Sequence, residues 1–149
     1  MKKQVITHSP QETKALAQAI AQDLKDGSVI ALSGDLGAGK TTFTQGLAKG
    51  LDIKKMVSSP TFTIMKQYKG KYRLTHIDAY RLEGLHQDLG FEELIGAEGV
   101  CVIEWPDYIK DLLPSTYLEI NLTRLEEDDR EITLIAHGSK YTHILEKLP

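Results

Sequence analysis

In 149 residues the chain has one cysteine, one tryptophan and four arginines, and each scarcity removes a class of protein. A single thiol, Cys101, forms no internal disulfide and no cysteine-based zinc site, and it suits a reducing compartment. Within Val100-Cys101-Val102-Ile103 it reads as a small buried hydrophobe rather than a reactive group. Met1-Lys2-Lys3 is basic, but Gln4, Thr7 and His8 leave no apolar stretch of signal-peptide length, and no run approaches a membrane span. A cytoplasmic protein without membrane contact is expected. The net charge of −3 argues against a domain that grips nucleic acid unaided. Six tyrosines, three phenylalanines and the tryptophan form no basic-aromatic platform for it either. His8, His86, His137 and His143 show no metal-ligand grouping. No linker, repeat or low-complexity segment divides the chain, so residues 1–149 are expected to form one domain, with a hydrophobic fraction of 41% ordinary for a soluble core.

What is present starts with a loop. Gly34-Asp35-Leu36-Gly37-Ala38-Gly39-Lys40-Thr41 spells G-x-x-x-x-G-K-T between an apolar strand, Ser28 to Ser33, and a helical stretch from Thr42 to Lys49. Strand, loop and helix in that order are what a phosphate cradle requires. Glycines let backbone N–H groups converge on an anion, and the helix N-terminus adds the positive end of its dipole. Lys40 then reaches the outer phosphates and Thr41 offers a hydroxyl to Mg2+. Asp35 to Thr42 is the expected nucleotide-binding segment, and the observations imply a nucleoside triphosphate.

Around the loop the pattern alternates between strands and helices. Val5-Ile6-Thr7 is a short strand. Ser9-Pro10-Gln11-Glu12 is a capping box with proline at the first helical position, and Ala15, Leu16, Ala19, Ile20 and Leu24 mark an apolar helix face that ends at Asp26-Gly27. Thr61–Tyr68 and Tyr72–Ile77 read as a partly exposed hairpin around Lys69-Gly70-Lys71. His86 to Ile95 suggests a short helix. Val100 to Ile103 is apolar throughout, as a parallel strand buried on both faces should be, and Pro106 ends it. Tyr117–Leu122 and Ile132–Ala136 flank an acidic turn as a second hairpin, and 140–148 closes the chain as a helix. The fold class is α/β: a P-loop NTPase-like three-layer domain with a mixed, mainly parallel central sheet and antiparallel hairpin additions.

Hydrolysis or transfer needs a carboxylate near Mg2+ and a group that places the attacking oxygen. Two candidates follow apolar strands. Glu104 ends Val100–Ile103, the arrangement of a Walker B strand with glutamate in place of the commoner aspartate. It is favoured for the metal, because its strand is the better candidate to lie beside the loop. Asp78 ends the alternating Leu74–Ile77 strand and is assigned to ordering water or to the metal's outer shell. Thr61, in Ser58-Ser59-Pro60-Thr61-Phe62, has the place of a switch residue that senses the terminal phosphate, against a plain proline turn. His76 shares a side with Asp78 and reads as a structural, hydrogen-bonded histidine. Trp105 reads as core or rim packing. Arg130 could lay its guanidinium on an adenine, although a solvated turn charge is the ordinary reading.

Taken together, Gly34 to Thr42, Ser59-Pro60-Thr61-Phe62, His76-Ile77-Asp78-Ala79-Tyr80-Arg81 and Ile103-Glu104-Trp105 resemble the TsaE family. These are small bacterial ATPases of the machinery that makes threonylcarbamoyladenosine in tRNA. The four motifs occur in the family's order between Gly34 and Trp105, with no departure at their positions. The resemblance implies ATP and Mg2+ as cofactors, and TsaD and TsaB as partner proteins, with tRNA met only indirectly through that complex. It implies that Lys40 and Thr41 hold phosphate and metal, Glu104 the metal, and Asp78 a catalytic or metal-linked role. Thr61 falls on the family's switch-like segment, and Arg130 near an arginine that approaches the base. ATP rather than GTP also rests on the resemblance, since no Asn/Thr-Lys-x-Asp guanine signature occurs.

Three other functions compete. A small-molecule or nucleotide kinase needs a second pocket and a lid of arginines, whereas Arg73, Arg81, Arg124 and Arg130 form no cluster in sequence. A nucleotide-gated module without hydrolysis fits poorly with Asp78 and Glu104 both present. A direct tRNA binder fits poorly with the acidic balance. The expectation is slow ATP hydrolysis expressed within the TsaD–TsaB complex.

Overall fold

The apolar run from Ser28 becomes the middle of a sheet because it has no polar face to give to water. A computed structural model describes residues 1–35, 37–58, 65–79, 95 and 98–148, without the side chains of Tyr108 and Ile109. Strand β1 (Lys2–Thr7) leads to helix α1 (Pro10–Gln22), strand β2 (Ser28–Gly34) and helix α2 (Lys40–Gly50). Strands β3 (Met65–Tyr68), β4 (Leu74–Asp78) and β5 (Val100–Glu104) follow, then a 3-10 helix (Pro106–Leu112). Strands β6 (Tyr117–Arg124) and β7 (Arg130–His137) and helix α3 (Thr142–Lys147) complete the order.

The seven strands make one sheet in the order β1-β7-β6-β2-β5-β4-β3. Its centre is parallel: β2 pairs with β5 and β6, and β4 with β5. The flanks are antiparallel, β3 on β4, β7 on β6 and β1 on β7. This is a mixed α/β sheet of the P-loop-like fold. The expected parallel arrangement holds in its centre, while the flanks are antiparallel, so that among the described residues parallel and antiparallel pairings are equal in number. The second hairpin is β6 and β7 around residues 125–129. The first is β3 and β4, and its stretch from Thr61 to Ile64 lies outside the described residues, as do residues 86–94 of the expected helix.

Side-chain alternation sorts the core onto the two faces. Ile30 and Leu32 of β2, Leu74 of β4, Val100 and Val102 of β5 and Leu118, Ile120 and Leu122 of β6 join α1 and α2 in one cluster. Val29, Ile77, Cys101 and Ile103 point the other way, against Trp105, Leu112 and Leu113 around the 3-10 helix. On that second face the β6–β7 half is polar. Glu119 accepts from Nε2 of His137 and from the Asn121 amide, each at 2.8 Å, and Tyr117 stacks on the His137 ring.

Helix α1 starts as its residues dictate. The Ser9 hydroxyl accepts from the Glu12 amide at 3.1 Å, with proline in the first turn. Its buried stripe differs from the expected one. Thr13, Leu16, Ala17, Ile20 and Ala21 face inward, while Ala15 and Ala19 are exposed, one residue and hence about 100° around the helix from the stripe. The inward alanines meet glycines of α2. A Cβ on Gly46 would stand 2.5 Å from the Lys14 carbonyl oxygen and 2.7 Å from the Ala17 Cβ. The two helices therefore touch backbone to backbone, and this closeness holds α2, and the loop before it, against the sheet.

Strand β4 is also deeper than its alternating sequence suggests. All five residues are buried, because β3 and β5 cover its edges and both faces are packed. Polar residues at alternate positions, Thr75 aside, here mark a site rather than a solvated face.

Candidate functional site

The parallel strands β2, β5 and β4 end side by side, and their carboxyl ends carry the candidate residues. The loop leaves β2 at Gly34, whose φ of +156° and close passage by β6 require glycine: a Cβ there would sit 2.8 Å from the Leu122 carbonyl oxygen. It enters α2 through Gly39 at φ +103°, a left-handed position that brings no side chain to cap the helix. The first amides of α2 are thus left to an external acceptor, and the dipole favours an anion. Asp35 and Gly37 are exposed on the loop and Ala38 is buried; Leu36 lies outside the described residues. Thr41 and Thr42 are half-buried in the first turn.

Lys40 is buried beside this cradle. Its ammonium donates to the Gly34 carbonyl at 2.5 Å and stands 4.1 Å from the centroid of the Trp105 ring. Burial pushes it below the usual lysine range, while Glu104, Asp78 and Asp35, in that order, pull it back up. Trp105 reaches it from a backbone at φ +57°, an uncommon conformation for a bulky residue, where β5 breaks into the 3-10 helix at Pro106. The tryptophan read as packing therefore also faces the loop's lysine.

Asp78 and Glu104 are direct partners in the β4–β5 register, and both are buried. Glu104 is also in register with Leu32 of β2, two residues before the loop begins, so the buried strand does lie beside the loop. His76, two residues before Asp78, is wholly buried, and its Nε2 hydrogen-bonds Oε2 of Glu104 at 2.6 Å. The structural, hydrogen-bonded reading of His76 fits, with Glu104 as its partner. Glu104 and Asp78 both act on the Lys40 ammonium, so the two carboxylates and the lysine share one buried neighbourhood. Among the described residues no group of three or more His, Cys, Asp or Glu converges on a point. Mg2+ takes one or two carboxylates with phosphate oxygens and waters, and Thr41, Glu104 and Asp78 fit that donor set.

Arg130 differs most from its ordinary reading. It is half-exposed at the turn, yet it also reaches the phosphate loop. Its Nε donates to the Ala38 carbonyl at 3.1 Å and its Nη2 to the Gly37 carbonyl at 3.3 Å, while Nη1 donates to the carbonyls of Glu127 and Asp129. The first residue of β7 so clips the phosphate loop from across the fold. A pocket of about 30 Å3 lies next to this clip, lined by Pro10, Thr13, Gly39, Thr42, Asp128 and Arg130. Thr61 lies outside the described residues. Val57 and Ser58 before it are anchored to α2 and β3, by Gln45 to the Val57 carbonyl at 3.0 Å and by Lys66 to the Ser58 hydroxyl at 2.7 Å.

Three of these relationships have no signal in local sequence: Arg130 to the loop, His76 to Glu104, and Lys40 to Trp105. Each joins residues far apart along the chain. Only knowledge that β4 neighbours β5 and that β7 returns beside the loop would have found them.

A parallel sheet with a glycine-rich loop leaving its central strand, and carboxylates ending the adjacent strands, defines the phosphate-loop class. Within that class the comparisons are specific. A family model described as threonylcarbamoyl adenosine biosynthesis protein TsaE matches residues 7–132. The chain is 48% identical over 143 residues to the tRNA threonylcarbamoyladenosine biosynthesis protein TsaE of Bacillus subtilis, covering 95% of this chain and 90% of that one. It is 41% identical over 131 residues to the protein of the same name from Treponema pallidum, covering 87% and 97%. The crystal structure of Bacillus subtilis YdiB superposes with a TM-score of 0.85 at 41% identity, over 99% of this chain and 93% of that one. The chain belongs to the TsaE family.

Proposed function

We propose that this chain, as a single domain of residues 1–149, binds ATP with Mg2+ and hydrolyses it slowly. In this reading it supports threonylcarbamoyladenosine formation on tRNA as the partner ATPase of a cytoplasmic TsaD–TsaB complex, meeting tRNA only through that complex. The supporting observation is the placement of Asp78 and Glu104 at the carboxyl ends of adjacent strands, beside a loop that ends at Lys40 in a helix N-terminus without a side-chain cap. The relatives' names support the pathway.

Loop amides from Asp35 to Thr42, including Leu36, Gly37, Ala38 and Gly39, take the phosphates, and Lys40 leaves Gly34 to meet the outer ones. Thr41, Glu104 and Asp78 would hold Mg2+, which when bound neutralises charge on the terminal phosphates. Asp78 alternatively orders the attacking water. Arg130 and its small pocket take the adenine side, and Thr61 reads the terminal phosphate.

The test compares nucleotide binding and ATP turnover, with and without TsaD–TsaB, for wild type, Lys40→Ala, Asp78→Ala and Glu104→Ala. Lys40→Ala should bind ATP much more weakly, while Asp78→Ala and Glu104→Ala should bind ATP but not turn it over. The partner proteins should raise wild-type turnover. Equal turnover of all four proteins, or ATP-dependent phosphorylation of a small metabolite, would overturn the reading.

A further inference from the structure

We infer that His76 is a positioning residue that holds the Glu104 carboxylate in its working orientation. Three observations carry this. First, His76 is wholly buried and binds Oε2 of Glu104 at 2.6 Å from the strand next door, one rung below the strand ends. That bond engages one of the two carboxylate oxygens of Glu104, Oε2. Second, Glu104 is bonded to His76 rather than paired with Lys40. Glu104 is the strongest carboxylate influence on Lys40, yet no ion pair within 4.0 Å joins the two among the described residues. A direct pair would consume both groups before a ligand arrived. Third, His76 Nδ1 is buried with no hydrogen-bond partner among the described residues. A buried unpaired nitrogen is costly, and an apolar residue beside Val102 would pack without that cost. The polar bonding of the imidazole is therefore all at Nε2 among the described residues.

The bond fixes the chemistry on both sides. An ionised Glu104 accepts, so Nε2 carries the hydrogen, and the carboxylate cannot rotate freely about its last torsion. An oriented carboxylate oxygen binds a cation with less ordering cost than a mobile one, as outer-shell partners of metal ligands do generally. The inference rests on the reading of Glu104 as a metal-holding carboxylate, and the experiment separates the two.

Binding of a non-hydrolysable ATP analogue is measured by calorimetry in EDTA and in Mg2+, so that the gain in affinity due to Mg2+ is read without turnover. Wild type, His76→Gln, His76→Leu and Glu104→Gln are compared, with thermal melts alongside. Expected is a loss of about tenfold or more of the Mg2+ gain in His76→Leu, with affinity in EDTA unchanged. His76→Gln, whose amide can donate to Oε2, should keep most of the gain. His76→Asn, too short to span to Oε2, takes the place of the leucine variant should that one fail to fold. The inference is overturned if His76→Leu keeps the full gain, if it loses affinity equally with and without Mg2+, or if His76→Gln falls as far as His76→Leu. A Glu104→Gln protein that keeps the whole gain overturns the metal assignment, and the inference with it. One that loses the gain while His76→Leu keeps it overturns the inference alone.

Discussion

The ammonium of Lys40 lies over the ring of Trp105, 4.1 Å from its centroid, while donating to the Gly34 carbonyl at 2.5 Å. The lysine is held at the back of its own loop by a π face and a peptide oxygen, both weaker partners than a phosphate. Trp105 is the only tryptophan in the chain, so its emission is read without interference from another indole. Titration with ATP should change that emission saturably as the ammonium moves to the phosphates. Lys40→Ala should weaken binding by about 10–100-fold, the loss of a charge-assisted hydrogen bond of about 1.5–3 kcal/mol. An unchanged emission at saturating ATP would show that the lysine does not move.

Arg130 reaches the loop from the far end of the chain. Its donations to Gly37 and Ala38 shape the cradle, and its donations to Glu127 and Asp129 fix the arginine itself. Arg130→Ala should lower nucleotide affinity by about tenfold, as loss of roughly 1.4 kcal/mol of loop organisation implies, and should change the melting temperature little. Arg130→Lys should restore little of it, since one ammonium cannot span carbonyls on both sides as a planar guanidinium does. Calorimetric titration of ATP against the three proteins checks both statements.

Gly46 is the tightest point between α1 and α2. A methyl group there meets backbone, the Lys14 carbonyl at 2.5 Å, which a rotamer change cannot relieve. Gly46→Ala should therefore destabilise the protein despite the better helix propensity of alanine. A cost of about 1–3 kcal/mol is typical of overpacking, or very roughly a 5 °C fall in melting temperature. A melt at or above the wild-type temperature would mean that the helices can separate without cost.

Cys101 should be inert in the folded protein. Burial on the second face pushes its thiol up to about 12, against 9.0 for an ordinary thiol, so it stays protonated at neutral pH. Aromatic disulfide reagents should label it only at the rate of unfolding. The sign of the pH effect follows. The unfolded thiol ionises near pH 9 and the folded one does not, so its contribution is intact below pH 9 and is lost as pH rises from 9 towards 12. Cys101→Ala should show a shallower alkaline loss of stability in denaturant titrations at pH 8, 9 and 10.

The sheet's framework was legible because periodicity carries it. Val100 to Ile103 is apolar at every position and lies in the parallel centre, and the stretches flanking the acidic turn pair as β6 and β7. The loop was legible because its glycines are required by backbone geometry, which sequence shows directly. Elsewhere neighbours decided. Strand β4 alternates polar and apolar residues yet is buried throughout, because its edges are paired and His76 and Asp78 lie among other polar groups of the site rather than in water. Of the expected α1 stripe, Leu16, Ile20 and Leu24 are buried, but the inward alanines are Ala17 and Ala21 rather than Ala15 and Ala19. Alanines read alike on either side of Leu16 and Ile20, and only the glycines of α2 choose between them. Arg130 looked like any charge beside a turn, because nothing near it in sequence shows that the turn folds back 92 residues to Ala38.

That return has a temporal consequence. The phosphate loop occupies eight consecutive residues, but the hydrogen bonds that hold two of its carbonyls come from residue 130. A chain emerging from the ribosome presents the complete motif long before it presents the clasp, and β6 and β7 must be paired before Arg130 is in place. Nascent chains arrested before and after residue 130 should thus differ in their hold on ATP, which makes nucleotide retention a readout of how nearly finished the protein is.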